Sequence, residues 1–262
     1  MTETARRRPL WAVYEILAMV FGLGSLALIC LAWLPFALVL KPVLPRRLGQ
    51  PFGRSMISGG FRCYLWLLER FCCCRFDLSE LDRLRDAGPL VVAANHPSLL
   101  DAVIIVSRLP GAVCVMKAAL LDNILFGAAA RLARYIRNNE PLEMILHARE
   151  ELQSGAQLLI FPEGTRTLEF PVGPCSPSAG MIARRSQCPV QTVLIEFSSP
   201  YLGKAWPLFQ RPRLPLRCRA RLGQRFSPPD DVPGFTRQLE AYFLSEVKMG
   251  WSEPSTVAEP SP

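Results

Sequence analysis

Histidine is nearly absent from this chain: His96 and His147 are the only two in 262 residues. If the chemistry needs an imidazole base, the choice lies between them. No group of His, Cys, Asp and Glu stands at metal-ligand spacing, so a resident metal is not expected. No G-x-S-x-G elbow occurs, which argues against an ordinary serine lipase. Zinc-finger spacing, interleaved aromatic and basic residues and a basic recognition helix are also missing. Nucleic acid is therefore not an expected partner, despite a formal charge of +8. There is no internal repeat. Charged residues are only 20% against 50% hydrophobic, rich for a soluble enzyme and modest for a multi-span transporter. One apolar anchor plus a globular body fits both figures.

The basic excess, 30 Lys and Arg over 22 Asp and Glu, suits anionic headgroups at a membrane interface. Residues 16–40, ILAMVFGLGSLALICLAWLPFALVL, carry no charge and are long enough to cross a bilayer core as a helix. Arg6, Arg7 and Arg8 precede the run, and Lys41, Arg46, Arg47 and Arg54 follow it, so flanking charge gives no orientation. Gly22, Gly24 and Pro35 allow a re-entrant or two-helix anchor as well as a simple span. A cleaved signal peptide is disfavoured by the length of the run and by the lack of a small-x-small site after it. Residues 56–71 read as a partly amphipathic helix, in which Arg62, Glu69 and Arg70 interrupt a face of Leu65, Trp66, Leu68 and Phe71. Such a helix lies in the interface or packs on the body.

Nine cysteines, Cys30, Cys63, Cys72, Cys73, Cys74, Cys114, Cys175, Cys188 and Cys218, form no small-domain framework and read as free thiols in a reducing compartment. The run Cys72-Cys73-Cys74 ends an apolar stretch and is expected to be buried as small apolar residues.

From the Gly88-Pro89 turn signal onward, short apolar runs alternate with helical patterns. Strands are expected at Leu90 to Ala94, Val113 to Met116, Gln157 to Phe161, Val190 to Phe197 and Leu216 to Leu222. Helices are expected within 98–108, with Pro97 at the start, and over 118–136, weakened at Gly127. Further helices are expected over 141–153, with a Gly155 stop, at the end of 173–183, and over 234–248 with Phe235, Leu239, Tyr242 and Phe243 inward. The alternation argues for an α/β fold.

Two motifs carry chemistry. NHPSLLD at 95–101 sets a histidine five positions before an aspartate at a strand-to-helix switch. A neutral His96 can take a proton from a hydroxyl, and Asp101 can hold the other ring nitrogen and fix the tautomer. That is two parts of a triad without a serine, so the attacking oxygen can belong to the substrate. The plain alternative is a turn histidine and a first-turn aspartate serving the helix dipole. His147, flanked by Glu143 and Glu150 on a helix, reads as structural or surface. FPEGTRT at 161–167 follows a strand; Gly164 permits a sharp turn, Arg166 can pair with phosphate oxygens, and Glu163 can orient the loop or that arginine. A β-turn with a solvated Glu/Arg pair is its plain alternative.

Together, in this order and separation, NHPSLLD and FPEGTRT resemble the glycerophospholipid acyltransferase family, particularly its 1-acylglycerol-3-phosphate acyltransferase branch, over roughly residues 85–225. The resemblance implies an α/β glycerophospholipid-acyltransferase-like domain with an N-terminal hydrophobic membrane anchor. It implies His96 as general base oriented by Asp101, with acyl-CoA or acyl carrier protein thioester as co-substrate and no other cofactor. It places Asn95, Glu163, Gly164, Thr165 and Arg166 among the substrate-binding residues, the last near a headgroup phosphate. The segment MKAALLDNILFGAAARLARYIRN resembles the second family block, implying roles for Lys117 and Arg137, with Arg134 as an alternative. Pro189 and Val190 resemble the fourth block, whose proline helps shape the acyl pocket. Two departures touch acceptor and acyl selection: Ala118, Ala119 and Leu120 replace the usual Glu-Leu after the lysine, and Thr192 replaces a second proline.

The implied reaction moves a fatty acyl group onto a lysolipid hydroxyl, most simply 1-acylglycerol-3-phosphate to give phosphatidate. An ornithine lipid, another lysophospholipid or a specialised lipid are alternative acceptors; a lipid hydrolase and a non-catalytic lipid-binding protein are alternative classes. The expected organisation is an anchor with its flanks at 1–45, an amphipathic connecting region at 46–84, the acyltransferase domain at 85–249 facing the cytoplasm, and a disordered Ser-, Glu- and Pro-rich tail at 250–262.

Overall fold

A computed structural model describes residues 9–207 and 210–247. The basic flank Arg6–Arg8 and the tail from Gly250 lie outside the described residues.

Two long helices come first, α1 (Pro9–Val43) and α2 (Arg46–Phe71). They run antiparallel: Tyr14 donates to the Phe71 carbonyl at 2.8 Å, Gly60 faces Ile29, and Trp33 packs on Phe52. The helix α1 is continuous through Gly22, Gly24 and Pro35, and packs along α2 and the later helix α5 (Ile124–Leu132). Its 35 residues are long and apolar enough to cross a membrane. The face turned away from the body is bare hydrocarbon: Leu17, Val20, Leu28, Leu31 and Val39 are all more than half exposed. In α2 the expected apolar face divides. Leu65 and Leu68 are buried against the body, whereas Trp66 and Phe71 face outward beside Phe21.

The body is a seven-stranded sheet of β1 (Cys74–Asp77), β2 (Val91–Ala94), β3 (Val113–Met116), β4 (Ile136–Arg137), β5 (Leu158–Ile160), β6 (Val190–Phe197) and β7 (Leu216–Phe226). The strand order is β1-β7-β6-β2-β5-β3-β4. All pairings are parallel except β6 with β7, so the sheet is mixed. Successive strand residues point to opposite faces. Val92 and Ala94 enter one core with α1, α2 and α3 (Asp101–Arg108), while Val91 and Ala93 enter another with α6 (Pro141–Gln153), α7 (Ser178–Ser186) and α8 (Val232–Glu246). The result is a three-layer α/β arrangement. In α8, Phe235, Leu239 and Phe243 are buried and Tyr242 is half-buried.

Several local expectations are corrected. Pro97 is not a first-turn proline: the helix begins at Asp101, after a turn at 98–100. The 118–136 segment breaks at Asn123, which is extended, into α4 (Ala118–Asp122) and α5, and not at Gly127. Its last residue, Ile136, opens β4 instead of ending a helix. Strand β1 and a 3-10 helix at Ser79–Leu84 are additional, and β7 runs to Phe226. Cys72 and Cys74 are buried, but Cys73 is exposed with φ 49. All nine cysteines are free.

Gly53 marks the close seating of α2 on the body. A Cβ there would stand 3.0 Å from the backbone nitrogen of Ala133. Beside it, Arg54 donates from Nε to the Ala133 carbonyl at 3.1 Å and from Nη2 to Glu151 at 2.6 Å, and Gln50 donates to both oxygens of Glu151.

Candidate active site

The carboxyl ends of parallel strands share one edge of the sheet, where open α/β folds place ligands. The β2 end delivers residues 95–97, and its neighbour β5 delivers 161–163. Asn95 extends the β2–β6 ladder with its side chain: Nδ2 donates to the Ile195 carbonyl at 2.9 Å and Oδ1 accepts the Ile195 N–H at 2.7 Å. It is 1% exposed, so its place is that of a frame and not of an open ligand position.

His96 follows on the turn ahead of α3. Its Nδ1 lies 2.7 Å from Oδ2 of Asp101, although an i,i+5 pair would not meet on one helix face. The turn at 98–100 makes the contact: Asp101 Oδ2 also accepts the Ser98 N–H at 2.7 Å, which folds the chain back over the first turn of α3. The imidazole stacks on Phe161, with ring centroids 4.0 Å apart. Two backbone contacts clamp the residue from the β5 loop. Glu163 Oε1 accepts the His96 N–H at 3.0 Å, and the Thr167 N–H donates to the His96 carbonyl at 2.7 Å. Nε2 has no protein partner among the described residues.

Asp101 is fully buried, and its Oδ1 has no hydrogen-bond partner among the described residues. Burial pushes its carboxyl up to about 6, partly opposed by the hydrogen bond from His96. Above that pH the carboxylate holds Nδ1–H and leaves the Nε2 lone pair outward, which is the tautomer a general base requires.

The FPEGTRT loop turns at Gly164, where φ is 65. Glu163 is wholly engaged: Oε1 also accepts the Thr167 hydroxyl at 2.8 Å, and Oε2 accepts the Gly173 N–H at 2.8 Å. Arg166 donates from Nη1 to the carbonyls of Leu202 and Gly203, each at 2.9 Å. Its Nε and Nη2 edge has no protein partner among the described residues. Thr165 is half-buried beside it.

Lys117 and Arg137 end β3 and β4, which lie two and three strands from β2. At strand spacing they stand ~10 and ~14 Å along the edge from His96. Arg137 pairs with Asp122 through Nη1 at 2.9 Å, holding that carboxyl below its ordinary range, and Lys117 is exposed. Arg134 precedes β4 with φ 57 and so stands back from the carboxyl edge. Pro189 is at the wrong edge to line a pocket at His96. Its carbonyl accepts the Val91 N–H, five residues and ~16 Å of strand before His96. His147 is exposed on α6.

Phe161 and Thr167 had no role in the sequence reading, although both stand inside the motif. The contribution of Leu202 and Gly203 had no signal at all, since backbone carbonyls leave no trace in residue identity.

The site thus brings a histidine–aspartate pair and an arginine from the neighbouring β5 loop to the carboxyl edge of an α/β sheet. Residues 75–196 match the model of the Acyltransferase family. The chain is 27% identical over 164 residues to 1-acyl-sn-glycerol-3-phosphate acyltransferase alpha of Ovis aries, covering 60% of this chain and 57% of the relative. It is 26% identical over 181 residues to 1-acyl-sn-glycerol-3-phosphate acyltransferase of Pseudomonas aeruginosa, covering 67% of each. The chain spans about half to two thirds of the length of the curated relatives it matches. Its fold is similar to the crystal structure of the 1-acyl-sn-glycerophosphate (LPA) acyltransferase PlsC from Thermotoga maritima. The TM-score is 0.66 at 17% identity, covering 92% of this chain and all of the other.

Proposed function

We propose that this protein transfers a fatty acyl group from an acyl thioester to the free hydroxyl of a lysolipid, with 1-acylglycerol-3-phosphate as the first acceptor to test. The observation that carries the reading is the His96–Asp101 pair, with no nucleophilic side chain among the described residues bonded to Nε2. In this mechanism Nε2 takes the acceptor hydroxyl proton as the oxygen attacks the thioester carbonyl. The tetrahedral intermediate collapses with cleavage of the carbon–sulfur bond. The imidazolium returns its proton to the departing thiolate, and Asp101 stabilises the charge throughout. Acyl-CoA and acyl carrier protein thioesters both supply this leaving group.

The free edge of Arg166 would hold the acceptor phosphate, with Gly164 and Thr165 shaping the loop around it. Glu163 and Asn95 would act by placing His96. An apolar cavity of about 640 Å³ between α1, α2 and α5, reaching Met116 at the end of β3, would house hydrocarbon. Trp33, Phe36, Ile57 and Phe61 line it, so the chain being transferred or retained would be shielded by the anchor itself. The bare face of α1 and the outward Trp66 and Phe71 would seat the protein in the membrane. Because α1 is flanked by α2 and α5, seating by one face is favoured over an isolated span, with the site toward the donor compartment, most simply the cytoplasm.

The test is lipid mass spectrometry after incubation with a lysolipid panel and labelled acyl-CoA or acyl carrier protein, beside His96→Ala. Labelled phosphatidate made only by the unmutated protein is the expected result. A different labelled lipid would correct the acceptor and keep the mechanism. Full activity in His96→Ala would end the proposed mechanism.

A further inference from the structure

Between β6 and β7 the chain makes an excursion whose described parts are residues 198–207 and 210–215. One side of it meets the catalytic edge. The Leu202 carbonyl accepts the Leu99 N–H at 3.1 Å, and the Leu202 and Gly203 carbonyls hold Nη1 of Arg166. Leu202 does so at φ 49, a left-handed geometry that a leucine keeps only when its surroundings impose it.

The other side is fastened to α1. Glu15 Oε1 accepts the Leu214 N–H at 3.2 Å, and Oε2 lies 3.7 Å from Nη1 of Arg211. The Tyr201 hydroxyl reaches the Met19 sulfur at 3.7 Å. The two arms of the excursion are joined by Ser199, whose hydroxyl donates to the Arg213 carbonyl at 3.4 Å. Glu15 is 5% exposed on a helix whose only other charged residue is Lys41, in its last turn. A carboxylate there is costly without partners, and both of its partners belong to the excursion.

We infer that Glu15 is a positioning residue for the acceptor site: it fastens the excursion to α1, and the excursion sets the orientation of Arg166. Glu15 touches neither substrate nor reacting atoms. Its effect is to make headgroup binding depend on the seating of the apolar helix. The inference rests on the reading of Arg166 as the headgroup contact.

The experiment uses the full chain in detergent micelles with 1-oleoylglycerol 3-phosphate and oleoyl-CoA. It compares Glu15→Leu, Glu15→Gln, Arg166→Ala and the double variant Glu15→Leu/Arg166→Ala. Glu15→Leu is expected to raise the acceptor KM roughly fivefold to tenfold, with the donor KM unchanged within about twofold. Glu15→Gln keeps an oxygen for Leu214 and should fall between. Adding Glu15→Leu to Arg166→Ala should raise the acceptor KM no further, because the two act through one group. Amide hydrogen exchange at Leu99 and Leu214 should be faster in Glu15→Leu, whatever the turnover. Additive effects on KM, a matching rise in donor KM, or unchanged exchange at both amides would each overturn the inference. An acceptor KM unmoved in Arg166→Ala would overturn the headgroup reading and this inference with it. A raised KM there beside an unmoved KM in Glu15→Leu would overturn the inference alone.

Discussion

Two buried pairs of opposite charge character sit in this molecule and are built for different ends. Arg54–Glu151 joins α2 to α6, and both carboxylate oxygens are engaged: Glu151 receives Arg54 and Gln50, and Arg54 also holds the Ala133 carbonyl. His96–Asp101 joins a turn to α3 and is left incomplete at both ends. Among the described residues, neither Asp101 Oδ1 nor His96 Nε2 has a hydrogen-bond partner. A fully satisfied buried pair fastens two elements. An unsatisfied one stores free energy in a group that can still react. The difference separates a structural lock from a candidate catalytic centre without reference to residue type.

The largest expected contrast is in turnover. His96→Ala should lower acyl transfer by about 10³-fold or more in the labelled-lipid assay while far-ultraviolet circular dichroism is unchanged. Arg54→Leu should do the reverse. It leaves Glu151 buried without its main partner and should cost about 3–5 kcal/mol in urea unfolding, with the remaining folded protein still active. A lock that proved catalytically essential, or a catalytic pair that proved essential to folding, would erase the distinction.

Asp101→Asn sharpens it. The folded Asp101 binds its proton more tightly than an unfolded aspartate, since its pKa is raised from 3.8 to about 6. The stability it contributes is present below pH ~4 and is lost as pH rises through ~6, a cost of about 3 kcal/mol at pH 8. Asp101→Asn should therefore lose about 10²-fold in kcat. It should be no less stable than the unmutated protein at pH 8, and its relative stability should improve from pH 5 to pH 8. Denaturant midpoints at the two pH values check this, and a uniform loss of stability at both would refute it. For the unmutated enzyme, kcat should fall as acid protonates Asp101 near pH 6, measured in buffers of constant ionic strength.

The smallest effect concerns the seat of the lock. Gly53→Ala would press a Cβ against the backbone of Ala133, which cannot yield as a side chain would. A loss of about 1–3 kcal/mol in thermal or urea unfolding is expected.

Much of the architecture was readable because short apolar runs and helical periods reflect local geometry. The strands at 91–94, 113–116, 158–160 and 190–197 and the helix at 141–153 all stand where the pattern placed them. What escaped was short or set from outside: β4 has two residues, and its pairing with β3 comes from the sheet, not from its own propensity. The same holds at the site. The His96–Asp101 contact was legible, since both residues lie in one motif five positions apart. The distance of Pro189 from His96 was not legible, since only strand direction reveals that its end of β6 is remote from that residue.

By itself, then, the sequence determined the α/β class, the apolar first helix and the two motif loops, because each depends on residues close together in the chain. The tertiary structure alone decided which polar groups are spent and which remain open. Asn95 and Glu163 are consumed by backbone partners 100 and 67 residues away in one direction or the other, whereas the outer edge of Arg166 and Nε2 of His96 are left free. Hydrogen-bond satisfaction is a property of the packed neighbourhood. It emerges only when strands distant in sequence end at the same edge of the sheet.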